Sequence, residues 1–153
     1  MQNYEMKDTY TYKYQEALSL LEVVCHGHVS ALELQENLKT IVALLHQTKA
    51  TFLLLDVRLL HAAKSADENW VRTYCMPLLA STSICKLARI AWSTAIQQNI
   101  GNRILNAIDR EGLYDFDIKV FEGREDALDW LFDTEPLEEQ MPYRGDCRAF
   151  SLI

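Results

Sequence analysis

The chain has 153 residues, 49% of them apolar, which is enough material for one domain with a sizeable core. Its formal net charge of -7 at pH 7 argues against a nucleic acid as partner, because a polyanion binds to a basic surface. The same charge disfavours an acidic membrane surface, and no apolar run approaches the ~20 residues that span a bilayer. The first residues lack the apolar segment of a signal peptide, so we expect a cytoplasmic protein.

The first predicted elements are two strands and a helix. Residues 9–14, TYTYKY, place tyrosines on one face and polar residues on the other, which predicts a strand with one face in water. Residues 17–25, ALSLLEVVC, predict a second strand, antiparallel to the first. Ser30 and Glu33 then fit a capping box at the start of a helix. Its apolar face repeats at helical spacing through Leu34, Leu38, Ile41, Val42 and Leu45.

The rest of the chain alternates between strands and helices. Residues 51–57, TFLLLDV, predict a strand buried on both faces, and a helix follows from about Asp67. Pro77 is expected to kink or end that helix. KLARIAW at 86–92 predicts the next strand, and a helix over about 96–110 is expected to end near Gly112. FDIKVFE and GREDALDWLF predict the last strand and the last helix.

This order, β-β-α-β-α-β-α-β-α, predicts an α/β domain. Strands linked through helices should be parallel, so we expect a mixed, mostly parallel sheet of about five strands covered by helices. The domain is expected to cover residues 1–132. Residues 133–153 have a different composition, with two prolines and scattered acids, and are predicted to be a tail or arm.

Four cysteines stand in the chain, at Cys25, Cys75, Cys85 and Cys147, and no two of them form a C-x-x-C pair. This spacing fits neither a disulfide framework nor a zinc site, so all four are predicted to be reduced thiols. His26 and His28 form an H-x-H pair that could bind a metal with Asp56 or His61, but a polar turn around Gly27 is the simpler interpretation. No cofactor or metal is expected.

Polar and aromatic residues follow the predicted parallel strands at the edge of the sheet where ligands usually bind. Asp56, Arg58 and His61 follow the central strand, and Trp92 and Ser93 follow the next one. One interpretation is a charged pocket, in which Arg58 binds an anion and Asp56 orients it. The alternative is a structural ion pair, which is common in proteins.

A serine hydrolase is a further interpretation of the same edge, with Ser93 or Thr94 as nucleophile, His61 as base and Asp56 as its partner. The G-x-S-x-G pattern of a nucleophile elbow does not occur, and capping of the next helix explains Ser93 or Thr94 more simply. Trp92 could form the wall of a pocket. Trp70 and Trp130 fall on apolar helix faces and are expected in the core.

Three segments carry a resemblance to a known family: LLLDVR around Asp56, Arg89-Ile90-Ala91 within KLARIAW, and the ending FEGREDALDWL. The chain resembles the STAS superfamily over roughly residues 10–132, and most of all the bacterial SpoIIAA-like (STAS/SEC14-like) domains. The resemblance implies a regulatory domain that a phosphorylated serine or threonine switches off. Ser65 is the only hydroxyl residue at the matching place, without the flanking Asp and Gly of that motif. SEC14-like relatives enclose an apolar ligand.

These observations favour a non-enzymatic regulatory or protein-interaction module. The predicted surface comprises Asp56, Arg58, His61 and the helix start from Ser65 to Trp70. The second hypothesis is a domain that binds a small anionic or apolar ligand, with Arg58 on the anionic group and Trp92 as a wall. The third is a small hydrolase that uses Ser93.

The expected partner is a protein or a small ligand, and a homodimer is possible. A row of tyrosines, Tyr10, Tyr12 and Tyr14, could support that dimer if it is exposed. An ordinary packed sheet face fits the same row equally well.

Overall fold

The computed structural model describes residues 2–6, 9–62 and 68–133. The strands are β1 (Gln2–Met6), β2 (Tyr10–Gln15), β3 (Leu20–Val29), β4 (Phe52–Ala62), β5 (Lys86–Ile90) and β6 (Asp117–Phe121). The helices are α1 (Ala31–Thr48), α2 (Glu68–Trp70), α3 (Met76–Ala80), α4 (Ile96–Glu111) and α5 (Arg124–Leu131). A 3₁₀ turn, Glu16–Leu18, joins β2 to β3, and a π-helical turn, Val71–Cys75, joins α2 to α3.

The strands form one mixed sheet in the order β1-β2-β3-β4-β5-β6. β1, β2 and β3 are antiparallel neighbours, whereas β3, β4, β5 and β6 run parallel. The predicted α/β class and mostly parallel sheet are therefore confirmed. The sheet has six strands rather than about five, because β1 was not predicted. Its residues, QNYEM, are mostly polar and carry little strand signal.

Two hydrophobic clusters lie on opposite faces of the sheet. The larger cluster joins the sheet to α1, the π-helical turn, α3 and α4, and it includes Leu21, Leu53, Leu45, Met76 and Ile108. The smaller one joins the sheet to α5 and includes Leu20, Leu54, Ile90, Ala127 and Leu131. Since successive side chains of a strand point to opposite faces, the run TFLLLDV supplies both clusters.

The predicted start of α1 and the predicted end of α4 are confirmed. The Ser30 hydroxyl accepts the N–H of Glu33 at 3.1 Å, and the Glu33 carboxylate accepts the N–H of Ser30 at 2.8 Å. These two bonds form the capping box at the start of α1. Gly112 ends α4 with φ of 65°, a left-handed conformation that glycine adopts without steric cost.

Pro77 interrupts its helix without ending it. The backbone widens into the π-helical turn just before Pro77, and the N–H of Met76 donates to the carbonyl of Val71. Helical structure then continues to Ala80. Proline has no N–H and its ring clashes with the preceding turn, so a wider turn accommodates it.

The tyrosine row of β2 is a packed face. Tyr10 is buried, and Tyr12 and Tyr14 are partly buried against the larger cluster. Of the two alternatives in the sequence, the packed sheet face is the one found. The row therefore provides no exposed aromatic surface for a homodimer.

The cysteine prediction is only partly right. Cys25 and Cys75 are free thiols. Cys85 is disulfide-bonded, so the prediction of a reduced thiol is wrong at this position.

Ser65, Cys147 and the predicted tail beyond Asp133 lie outside the described residues. None of the helices within 9–62 and 68–133 combines the length and apolar character needed to cross a bilayer.

Substituting Leu131 tests whether α5 packs on the sheet through the smaller cluster. Its side chain is 1% exposed, and replacing it with alanine leaves a cavity under α5. We expect Leu131→Ala to lower the free energy of unfolding by about 2–5 kcal/mol, measured by urea denaturation. Leu113, which is 70% exposed, provides the matched control, and Leu113→Ala should change stability by less than about 0.5 kcal/mol. Equal effects of the two substitutions would contradict the packing of α5 on the sheet.

Candidate functional site

The predicted acidic and basic residues lie within a strand rather than after one. β4 pairs with β5 only as far as Asp56, but it continues beside β3 to Ala62. Its pairing with β3 is irregular between Val24 and His26. β3 and β4 therefore extend past the other parallel strands, and this extension was not predicted.

Asp56 and Arg58 form an ion pair with two parallel hydrogen bonds. Arg58 Nε donates to Asp56 Oδ1 at 3.0 Å, and Nη2 donates to Oδ2 at 2.8 Å. The backbone N–H of Arg58 also donates to Oδ1 at 3.0 Å. The hydrogen bonds to Asp56 raise the pKa of Arg58. Because Asp56 is only 8% exposed and both of its oxygens are bonded, the geometry favours the structural ion pair over an anion-binding pocket.

The structure brings Trp92 to this ion pair. The Arg58 guanidinium carbon lies 5.4 Å from the centroid of the Trp92 ring, a cation–π contact. Trp92 remains 45% exposed. Ser93 lies next to it in the chain and donates from Oγ to Glu122 Oε2 at 2.9 Å. Asp56, Arg58 and Trp92 thus form one surface cluster, and Ser93 binds a different acid.

The three residues proposed for a hydrolase contact other residues and not one another. His61 stacks on His28 with 5.1 Å between ring centroids. Ser93 bonds Glu122, and both oxygens of Asp56 bond Arg58. The capping prediction is also wrong, since α4 begins after Ala95 and no side chain caps it. Across residues 9–62 and 68–133, no group of three His, Cys, Asp or Glu residues could hold a metal.

A separate cavity of about 170 Å³ lies between the sheet and the helices of the larger cluster. Its walls come from β3, β4 and β5 on one side and from α1, α2, the π-helical turn, α3 and α4 on the other. Most of the described lining residues are apolar: Leu34, Leu38, Ile41, Leu55, Leu60, Trp70, Val71, Leu79, Leu87 and Leu105. The others are Cys25, Asn37, Cys75, Arg89, Gln98 and Gly101.

Arg89 is the charged residue of this cavity. It sits in the middle of β5, is partly buried, and lines the cavity. Nη2 donates to Gln98 Oε1 at 2.8 Å, and Nε donates to Asn102 Oδ1 at 3.2 Å. Both acceptors are neutral amides. In the described part of the chain, no carboxylate lies within ion-pair distance of Arg89.

α4 holds the guanidinium in place. Gln98 is itself fixed by donating to the Val57 carbonyl at 3.0 Å and the Leu60 carbonyl at 3.4 Å. One helical turn later stands Gly101, whose missing side chain makes room for Arg89. A Cβ at this position would lie 2.9 Å from Arg89 Nη2. Gln98, Gly101 and Leu105 recur at helical spacing and therefore lie on one face of α4, and this face lines the cavity.

Burial changes the acid–base properties of the cavity. It lowers the pKa of Arg89 to about 10, which still leaves the guanidinium charged at neutral pH. Burial raises the pKa of Cys25 and the pKa of Cys75 to about 12. Both thiols are therefore protonated at neutral pH and do not neutralise Arg89. Among the lining residues that the structure describes, Arg89 carries the one charge, and most of the others are apolar.

The sequence interpretation missed this site. In the sequence, Arg89 was considered only as part of the segment KLARIAW. A charged residue in the middle of a strand covered on both faces is costly without a partner, so its presence there indicates a functional or structural role. Trp70, predicted as a core and surface residue, lines the cavity. Asp56 points away from the cavity, because it alternates along β4 with Leu55 and Val57, which face the larger cluster. The predicted site residues are thus divided between two faces of the sheet.

The solved structures that are similar to this chain include two from bacteria. One is an uncharacterised protein of the DUF3478 family with a SpoIIAA-like fold from Shewanella loihica PV-4. Its TM-score is 0.48 at 20% identity, covering 86% of this chain and 92% of that one. The other is an anti-sigma factor antagonist from Mycobacterium paratuberculosis, with a TM-score of 0.45 at 14% identity, covering 87% and 94%. No family model and no curated protein matches the sequence.

Arg58 tests the structural role of the surface cluster. Arg58→Ala leaves the nearly buried carboxylate of Asp56 without its two guanidinium bonds, so we expect the free energy of unfolding to fall by about 1–3 kcal/mol. Lys39→Ala is the matched control, because it breaks an exposed pair with Glu36 at 3.8 Å and should cost less than about 1 kcal/mol. Urea denaturation measures both. A loss no larger for Arg58→Ala than for Lys39→Ala would show that the pair is not structural.

The thiols of the cavity give a second test. With a pKa of about 12, only about one thiol in 10⁴ is ionised at pH 8, and the thiolate is the reactive form. We expect iodoacetamide to modify Cys25 and Cys75 very slowly in the folded protein and readily in guanidinium chloride, as followed by peptide mass spectrometry. Between pH 8 and pH 10 the folded-state rate should rise about tenfold per pH unit. Rapid modification at pH 8 would contradict the buried environment.

Proposed function

We propose that this protein is a small-molecule-binding domain and that its ligand occupies the cavity between the sheet and the helices. The cavity with charged Arg89 inside it carries this proposal. Protein interiors hold few voids larger than a water molecule. At about 170 Å³, this cavity is well above that size.

The size of the cavity limits the size of the ligand. An engineered protein cavity of about 150 Å³ binds benzene, so a cavity of about 170 Å³ accepts a molecule with an apolar part of similar size. Its leucine-rich lining supplies apolar contacts. The π-helical turn also contributes Val71 and Cys75 to the wall, and such turns occur frequently at functional sites.

The chemistry of the lining supports binding rather than catalysis. A nucleophilic cysteine requires a thiolate, and burial keeps Cys25 and Cys75 protonated at neutral pH. No described lining residue is an Asp, Glu or His that could act as a general base. The polar groups that remain, Asn37, Gln98 and Arg89, are suited to orienting a ligand by hydrogen bonds.

A second candidate function is the binding of a protein partner through the surface cluster of Asp56, Arg58 and Trp92. One observation favours it: Trp92 is 45% exposed, and Arg58 packs on its ring. Exposed aromatic residues beside arginine are common among residues that dominate protein interfaces. This surface lies on the other face of the sheet from the cavity, so the two functions are compatible in one domain.

Native mass spectrometry of the protein purified from its own host tests the proposal. We expect a small non-covalent mass that is lost on denaturation. Leu105→Phe, which adds volume to the cavity wall, should reduce the occupied fraction at least about tenfold, because a core site has no room for both groups. The control Leu113→Phe changes an exposed leucine just after α4 and should keep the wild-type occupancy.

Two results would contradict the proposal. One is a bare wild-type protein that also fails to bind small apolar molecules added at high concentration. The other is a bound mass that Leu105→Phe does not affect, since its ligand would then lie outside the cavity. A second protein in the native complex, lost on Trp92→Ala, would support the interaction surface instead.

A further inference from the structure

We infer that the ligand is a small apolar monocarboxylate, whose carboxylate binds Arg89 and whose hydrocarbon part fills the cavity. This inference rests on the proposed function and adds the chemical class of the ligand. Its basis is the position of one guanidinium inside an apolar cavity, together with the donors that the protein leaves available there.

Among the residues that the structure describes, none supplies a counter-charge for Arg89. A buried charge is costly unless an opposite charge and hydrogen bonds compensate it. Gln98 and Asn102 supply hydrogen bonds but no charge, and the described chain places no carboxylate at Arg89. A bound anion would supply the missing charge. Arginine presents its N–H groups in a planar fork that matches the two oxygens of a carboxylate.

Donors remain available on the guanidinium. Of its five N–H groups, the described residues accept one from Nε and one from Nη2. Among the side chains that the structure describes, which do not include those of Ala62, Ile96 and Gln97, none accepts a hydrogen bond from Nη1. Nη1 and the second N–H of Nη2 together form one edge of the fork. A carboxylate can therefore bind along that edge without displacing Gln98 or Asn102.

The one positive charge of Arg89 favours an anion that carries one negative charge. Arg89 is the only charged residue among the described lining residues. A phosphate monoester carries about -1.5 to -2 charges at pH 7 and would leave part of this charge uncompensated in an apolar site. An amino acid would bring an ammonium group, and the described lining offers no carboxylate to receive it. A monocarboxylate without further charged groups matches the lining.

The test compares acids with their neutral amides in the full-length protein. Calorimetric titration at pH 7.5 uses benzoate against benzamide and hexanoate against hexanamide, pairs of nearly equal size and shape. We expect each acid to bind at least about tenfold more tightly than its amide, because only the acid compensates Arg89. In Arg89→Met this preference should disappear. Arg103→Met, which removes an exposed arginine of α4, should keep it.

Gly101→Ala provides a second variant that does not remove the charge. Alanine favours the helix, so the variant is expected to fold, but its Cβ would lie 2.9 Å from Arg89 Nη2 and push the guanidinium out of place. We expect it to weaken benzoate binding at least about tenfold while benzamide binding changes much less. Circular dichroism of each variant checks that the fold is kept.

The outcomes separate the two proposals. Equal affinity of acid and amide in the wild-type protein would overturn the carboxylate inference and leave the cavity as a binding site for neutral apolar molecules. A preference for the acid that survives Arg89→Met would also overturn it. If none of the four probes binds, both the inference and the proposed function fail. Loss of the preference in Arg89→Met and Gly101→Ala, but not in Arg103→Met, would support both.

Discussion

The arrangement of this domain depends on one buried guanidinium. Arg89 projects from β5, the strand next to the edge strand β6, and its bonds to Gln98 and Asn102 connect β5 to α4. Gln98 continues the connection to the carbonyls of Val57 and Leu60 in β4. A hydrophobic side chain at position 89 could simply pack against the helix. The charge instead requires polar partners and space beside Gly101, and it borders a cavity that the leucines around it do not fill.

The sheet separates two environments of different chemistry. On the helical face of the larger cluster, Arg89 is charged and lacks an acidic partner in the described chain. On the other face, Arg58 and Asp56 neutralise each other in a geometry with two parallel bonds. The difference matters for function, because a paired arginine has little to gain from an anionic ligand. An arginine without a counter-charge gains both hydrogen bonds and charge compensation when the anion arrives.

Local rules predicted most of the fold. The capping box at Ser30, the glycine at the end of α4 and the alternation of apolar strands with helices all follow from short segments. The mixed sheet followed from the order of those elements. β1 was missed because its polar sequence becomes a strand only by pairing with β2. The length of β4 was also missed, since its last residues pair with β3 alone.

The site could not be predicted in the same way, because it depends on how distant segments come together. Asp56, Arg58 and Trp92 were correctly expected near one edge, but their mutual pairing is a property of the tertiary structure. The cavity needs side chains from β3, β4, β5 and five helical segments at once. One local signal did exist: an arginine in the middle of an otherwise apolar strand, followed by a helix carrying Gln98 and Gly101.

A crystal structure of the protein with benzoate would show whether Arg89 binds a carboxylate inside the cavity. The account predicts density for the ring in the cavity and both carboxylate oxygens within hydrogen-bond distance of the Arg89 guanidinium, about 2.7–2.9 Å from its nitrogens. Gln98 and Asn102 should keep their bonds to Nη2 and Nε. A cavity that stays empty at saturating benzoate, or a benzoate whose carboxylate points away from Arg89, would contradict it.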